Sequence, residues 1–429
     1  MDWSVISGTE KRLMLNAVGV ADMASLFAVV PEALRVNALD MPEGMSECCL
    51  SSYFEGLARR NCAGCVSFLG GGYYDHYIPA AVDALAGRSE FFTAYTPYQP
   101  ECSQGTLQAI YEYQSMICRI TDMECANASL YDGGTATFES AIMAARITGK
   151  SRVVVHDSLH PVWREMLLTH ASGSVLTIED GNEPVAGDTA CVIAQNPAFP
   201  GTLQDFSELA RRCHDVGALL VLAVNPVSLG LVKTPGAMGA DIAVAEGQSV
   251  GLPLAFGGPY LGILATRKAH IRKMPGRIAA ATTDAAGRRG FVLTLQAREQ
   301  HIRREKALSN ICSNQALCAL RALIHLCLLG KEGLRETARA CHAKAEYLKA
   351  KLDFAEVLNA GPTFNEFSVR LPGNAEAVTA AMLEKKYLAG LPLQAVNRGG
   401  PNDLLIAVTE KRTRVELDAF AAALRECAA

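Results

Sequence analysis

The segments TACVIAQNP (189–197), FSELARRCHDVG (206–217) and ALLVLAVNP (218–226) read in chain order as strand, helix and strand. Each strand segment is a short apolar run closed by Asn-Pro, the pattern of a strand covered on both faces in a parallel sheet. Working outward, SRVVVHD (151–157) and HPVWREMLLTHA (160–171) precede this unit, and GADIAVAE (239–246) and LGILATR (261–267) follow it. The alternation predicts an α/β domain of about 250 residues built on a mostly parallel sheet.

The flanks read differently. GTEKRLMLNAVGV (8–20) and ADMASLFAVV (21–30) have helical periodicity and predict an N-terminal helical arm over residues 1–60. ECSQGTLQAIYEYQSMICR (101–119) reads as a helix; ECANASLY (124–131) leads to a Gly133-Gly134 turn and the helix TFESAIMAARITG (137–149). SNICSNQALCALRALIHLCLLG (309–330) predicts one long apolar helix, followed by the helix LRETARACHAKAEYLKAKL (334–352). FNEFSVRLP, NAEAVTAAMLEKKY, DLLIAVTE and TRVELDAFAAALREC then alternate strand and helix, with Thr413 and Glu416 spaced as a capping box. The expected domains are thus 1–60, a large one over 61–330 and a small C-terminal α+β one over 331–429.

Composition excludes several function classes. A formal charge of −4 and the lack of a basic run of five argue against a nucleic-acid partner. No leader pattern follows Met1, and the longest apolar run is the short Ala218–Val224, so a cytoplasmic chain without a membrane span is expected. The 14 cysteines are scattered and suit a reducing compartment. Cys62 and Cys65 form a CxxC with no partner pair at zinc spacing, so no metal is expected and the cysteines read as small hydrophobes.

YDGGTATFESAIMAA (131–145) is a helix start where free N–H groups and the helix dipole favour an anion, with Thr135 or Thr137 offering a hydroxyl; any helix can also begin this way. LGGGYYDHYIP (69–79) and EFFTAYTPYQPE (90–101) concentrate tyrosines in irregular backbone, which suits a site or a packed interface equally. His156, Asp157 and His160 follow a strand end, where His160 could stack on a flat ring or simply cap a helix.

The order of these parts is that of pyridoxal-phosphate (PLP) enzymes of fold type I, the aspartate-aminotransferase-like class. There a helix start holds the phosphate, an Asp pairs with the ring nitrogen and a Lys anchors the ring. In this chain Asn225 stands in the place of the Asp, and Gln248 and Ser249 stand in the turn that should hold the Lys. Between Gly201 and Arg304 the lysines are Lys233, Lys268 and Lys273, all read as solvated surface charges. The site formed by Gly133, Gly134, Thr135, His160, Asn225, Gln248 and Ser249 is therefore expected to be degenerate and to hold no cofactor.

Longer strings carry a resemblance over the whole chain: GGGYYDHYIP, FFTAYTPYQPECSQGTLQAIYEYQSMI, YDGGTATFESAIMAAR, GADIAVAEGQSVGLPLAFGGPYLG, RIAAATTDAAGRRGFVLTLQAREQHIRREKALSNICSNQAL, FNEF and VTEKRT. They resemble the glycine cleavage system P-protein, the decarboxylating glycine dehydrogenases, in the form of a separate subunit 1. The resemblance implies a cofactor-free subunit whose partner, subunit 2, carries the lysine and the PLP in an α2β2 assembly. It also implies glycine as substrate and a lipoylated H-protein as acceptor of the aminomethyl group. Asn225 departs from that family's subunit 1 pattern, which tends to Asp. By resemblance the cleft-lining candidates are Tyr95, Tyr98, Gln99 and Glu101 from one loop and Tyr74, Asp75 and His76 from the other. An independent PLP enzyme using Lys233 or Lys268, and a scaffold without chemistry, are the alternatives.

Overall fold

The computed structural model describes residues 5–36, 39–61 and 64–429. Two compact units divide the chain at residues 63 and 64. In the first, helices α1 (Gly8–Val18) and α2 (Glu47–Arg59) bury none of their residues. α1 starts at a capping box, with Ser7 and Glu10 satisfying each other's backbone N–H. The expected second amphipathic run is only a 3-10 turn, Ala24–Phe27, because Asp22 bonds Ser25 locally and Pro31 follows. Cys62 lies outside the described residues.

The second unit is built on a seven-stranded sheet. Its strands are β1 (Cys125–Ala126), β2 (Arg152–Val155), β3 (Thr177–Asp180), β4 (Thr189–Asn196), β5 (Leu219–Val224), β6 (Ile242–Glu246) and β7 (Gly262–Thr266). They lie in the order β1-β7-β6-β5-β4-β2-β3, with β2 to β6 mutually parallel and β7 running antiparallel to both its neighbours, β6 and β1. Alternate residues of each buried strand feed opposite cores. Val153, Val155, Ile193, Val221 and Val244 pack under α4 (Gly133–Thr148) and α5 (Pro161–Ala171). Val192, Ala194, Leu220 and Leu222 pack with α3 (Gln104–Thr121), α6 (Ser207–Asp215) and the first half of α7 (Ala316–Lys351). The sheet is thus the fold type I sheet, α/β and mostly parallel.

Tertiary bonds move several helix boundaries. Residues 309–315 stay outside the long helix because the Asn314 side chain donates to Ala128 O and Ser129 Oγ, and the Gln315 N–H donates to that same hydroxyl. α7 then runs through Gly330, whose φ of 61° and ψ of −172° kink it where two helices were expected. Gly133 and Gly134 are the first helical residues of α4 behind an Asp132 N-cap, rather than a turn before a Thr cap. Residues 278–294, which carried no secondary-structure expectation, form the hairpin β8 (Ile278–Thr283) and β9 (Arg289–Thr294).

A second sheet, β10 (Glu356–Val357), β11 (Glu366–Arg370), β12 (Leu391–Pro392) and β13 (Asp403–Ala407), is antiparallel in the order β10-β11-β13-β12. It packs with α8 (Ala375–Glu384) and α9 (Arg414–Ala428), and the Thr413–Glu416 capping box is formed. Gly201 sits where these layers meet: its φ is 104°, and a Cβ there would lie 2.2 Å from Glu366 O. Among the described residues no helix is long and apolar enough to cross a membrane.

Candidate functional site

The C-terminal ends of β4, β5 and β6 converge with the start of α4 on the pocket that fold type I enzymes use for PLP. Here the loop after Val66–Ser67 enters it and is bonded to every wall. Gln248 Oε1 accepts the Tyr74 N–H at 2.9 Å, and its Nε2 donates to Tyr74 O at 3.0 Å and Leu252 O at 2.9 Å. The Tyr74 hydroxyl donates to Glu366 Oε2 at 3.0 Å, while the Gly71 N–H donates to Glu366 Oε1 at 2.6 Å. Tyr73 packs on Tyr260, ring centroids 4.6 Å apart.

His160 caps α5 and serves the same loop. Its Nδ1 accepts the Val162 N–H at 3.1 Å, and its Nε2 lies 2.7 Å from Gly71 O, which fixes the tautomer protonated on Nε2. Burial pulls its pKa down to about 4, so the ring is neutral near pH 7. One face stacks on Trp163, centroids 5.6 Å apart, and Phe199 meets it edge-on. The helix-capping reading of His160 therefore describes its bonds.

The helix start is also filled. The Gly133 N–H donates to Glu246 Oε2 at 2.9 Å, and Asp132 Oδ1 accepts the Thr135 N–H at 2.8 Å with the Thr135 hydroxyl on Oδ2. Thr137 turns its hydroxyl back to Gly133 O. Asn225 Oδ1 accepts the Val227 N–H at 3.0 Å, its Nδ2 is buried without a hydrogen bond, and the Ser249 hydroxyl is likewise buried and unpartnered. The space left among Gly72, Tyr74, His160, Asn225, Glu246 and Ser249 is about 20 Å³, room for one water. A pyridine ring with a phosphate does not fit, and the two carboxylates that line the space, Glu246 and Glu366, are already held by N–H and O–H groups of the chain.

Two carboxylates here escaped sequence reasoning. Glu246 and Glu366 are each buried, and burial pushes both up to about 7 against the N–H groups that hold them. The signal was a lone acid at the end of the apolar strand GADIAVAE and another inside FNEFSVRLP.

The structure separates the cleft candidates. Asp75 turns to the chain end of β13: Lys411 Nζ donates to it at 2.6 Å, Arg412 Nη2 at 3.0 Å, and Thr409 Oγ1 bonds its carbonyl. His76 Nδ1 lies 2.6 Å from Glu410 Oε2. Burial opposes ionisation of Glu410, but His76 and the Tyr77 N–H outweigh it and hold the carboxyl down at about 2. The Cys341 thiol also reaches Glu410 Oε2, at 3.4 Å, so these contacts gather the His76, Cys341 and Glu410 ligand atoms within 4.8 Å. Tyr74, Asp75 and His76 thus face inward on protein partners. Tyr95, Tyr98, Gln99 and Glu101 are exposed instead, Tyr95 by 77%. The Tyr98 hydroxyl accepts from Arg277 Nη2 at 2.7 Å, and that buried guanidinium, 3.7 Å from Glu299, also lies 5.2 Å from the Tyr98 ring centre. Arg277 gave no sequence signal beyond its place in a distinctive string.

Of the lysines, Lys233 is spent on Asp205, at 3.1 Å, and on Ser207, and Lys268 and Lys273 are exposed on a 3-10 helix after β7.

Comparison with known proteins gives the family. The sequence model described as glycine cleavage system P-protein matches residues 5–424. The "probable glycine dehydrogenase (decarboxylating) subunit 1" of Geotalea uraniireducens is 53% identical over 425 residues, covering 96% of both chains. Its counterpart in Citrifermentans bemidjiense is 52% identical over 432 residues, covering 97% of both. A crystal structure of glycine decarboxylase (P-protein) of the glycine cleavage system, in inhibitor-bound form, superposes with a TM-score of 0.92 at 44% identity over 100% of both chains. A sphingosine-1-phosphate lyase of Burkholderia pseudomallei, at 17% identity and TM-score 0.66 over 93% of this chain and 94% of its own, shares the fold alone. Sequence, filled pocket and superposition together place the chain in the glycine cleavage system P-protein family.

Proposed function

We propose that this chain is the cofactor-free subunit 1 of a P-protein, working in the cytoplasm with a subunit 2 that carries the PLP and its lysine. Together they decarboxylate glycine and pass its aminomethyl group to the lipoyl arm of an H-protein. The observation that carries the division of labour is the pocket, packed with Tyr73, Tyr74, Glu246 and Gln248 down to about 20 Å³. A chain that fills its own cofactor space contributes shape and surface, not the electron sink.

Two surfaces support a partner of the subunit 2 kind, in an α2β2 assembly. α1 and α2 leave Leu13, Met14, Val18, Tyr53 and Phe54 exposed, an apolar load that in soluble proteins marks a contact surface. The loop 90–101 presents Tyr95, Tyr98, Gln99 and Glu101 outward, and in this reading these residues line the shared cleft and orient glycine or the lipoyl arm. Tyr74, Asp75 and His76 support that cleft from behind, since the Tyr74 hydroxyl, the Asp75 carboxylate and His76 Nδ1 are already bonded within the chain. The segment 331–429 is read as a small domain that starts after the Gly330 kink.

Reconstitution tests the reading. Adding this chain to purified subunit 2 should produce glycine-dependent exchange of carbon dioxide, and full exchange by subunit 2 alone would overturn it. The pairing of Lys233 with Asp205 and Ser207 speaks against an independent PLP enzyme.

A further inference from the structure

We propose that Glu246 is a resident oxyanion, occupying a cradle of three backbone N–H groups suited to a phosphate and so keeping phosphorylated ligands off this subunit. The proposal rests on reading this pocket as the remnant of a cofactor site. Three separate elements supply the donors. The Gly133 N–H at the start of α4 meets Oε2 at 2.9 Å, and the Gln248 N–H after β6 and the Leu261 N–H before β7 meet Oε1 at 2.9 and 3.1 Å. The Gly133 N–H opens a 16-residue helix, and backbone N–H groups converging at such a point are a general means of holding a phosphate oxyanion. Glu246 is 4% exposed and reaches no cation, so what stabilises its carboxylate is this cradle.

The packing shows that the carboxylate excludes rather than accompanies a ligand. The hydroxyls beside it are engaged elsewhere: Asp132 has taken the Thr135 N–H and hydroxyl, and Thr137 has turned to Gly133 O. A Cβ added at Gly133 would lie 2.5 Å from the Trp163 ring and 3.0 Å from Glu246 Cβ. The Glu246 side chain holds all three N–H groups with its own two oxygens, so a phosphate would have to displace it to reach them. Loss of the lysine removes the covalent anchor; Glu246 removes the phosphate subsite. A chain with only the first change would still bind phosphate.

Chemical rescue of the full-length chain tests this. Wild type, Glu246→Ala and Glu246→Gln are unfolded thermally in graded inorganic phosphate and in sodium chloride of equal ionic strength, with Trp163 fluorescence recorded in parallel. The expected result is a wild type indifferent to the choice of salt, and a less stable Glu246→Ala whose Tm climbs saturably in phosphate but not in chloride. Trp163 emission should follow with the same midpoint, and Glu246→Gln, whose amide still fills the cradle, should not respond. Equal effects of the two salts on Glu246→Ala would overturn the proposal. If that variant does not fold in either salt, equilibrium dialysis of wild type decides: uptake of one phosphate per chain refutes a resident anion, and no uptake up to millimolar phosphate supports it. Activity with subunit 2 is scored separately, so a failed rescue beside normal exchange removes this inference alone.

Discussion

Gln248 grips the backbone of Tyr74 at both ends of one amide, accepting its N–H at 2.9 Å and donating to its carbonyl at 3.0 Å. An amide can do both at once and an ammonium cannot. Gln248→Lys should therefore lose about 2–4 kcal/mol of stability, from broken buried hydrogen bonds and a buried amine, measured by urea unfolding. It should also stay colourless after dialysis from pyridoxal phosphate, since the ring space remains filled; a yellow adduct that a folded variant retains through dialysis would contradict the filled pocket.

Glu366 gives the fold a pH dependence of defined sign. Its folded pKa of about 7 lies above the 4.5 of an exposed glutamate, because burial outweighs the bonds from Gly71 and Tyr74. Between these values the folded chain binds more protons than the unfolded one, so this contribution is fully present below about 4.5 and lost as pH rises through 7. Glu139 and Glu246 shift the same way. Glu366→Gln should gain on wild type by up to about 3 kcal/mol between pH 5 and pH 8. Urea curves at the two pH values check this, and a constant difference would count against it.

Asp75 joins the loop 69–79 to the end of β13 through Lys411 and the buried Arg412. Asp75→Asn leaves that guanidinium short of its charge and should cost about 1–3 kcal/mol in Tm-derived stability. No loss would show that Glu416, 3.8 Å from Arg412, suffices.

Tyr95 and Tyr98 separate surface chemistry from structure. Tyr95→Ala, at a position 77% exposed, should leave the fold within about 0.5 kcal/mol yet lower exchange in the reconstituted assembly at least about tenfold. Tyr98→Phe keeps the ring beside Arg277 and removes the acceptor of its Nη2, so it should lower exchange without preventing assembly. Undiminished exchange in both, with the assembly intact, would favour a scaffold.

Gly133→Ala should destabilise by about 1–3 kcal/mol, since its new methyl meets the rigid Trp163 ring at 2.5 Å. Gly134→Ala should cost less because the atom it meets is the flexible Met166 Sδ, at 2.3 Å. Thermal melts rank the two.

The sheet was legible because apolar runs such as ALLVLAV and IAVA have no other stable use at that length. The boundaries at 309–315 were not, because bonds to Ala128 and Ser129, about 180 residues away, override local helix preference. The absent lysine could be seen in EGQSVG, but how the pocket is filled could not. That depends on a loop 174 residues from Gln248 and on Glu366, 295 residues from Gly71. Asp75 and His76 were read as cleft residues for their chemistry, while their partners, Lys411, Arg412 and Glu410, lie in VTEKRT, a string noted only for its likeness to the family.

A pocket closed by the chain's own side chains also changes how such a subunit is made. Its core is complete without a bound group, so the proposed division of labour would make its folding independent of the supply of vitamin-derived cofactor. Under the proposed division of labour, subunit 1 would then stand ready, already folded, for its cofactor-bearing partner.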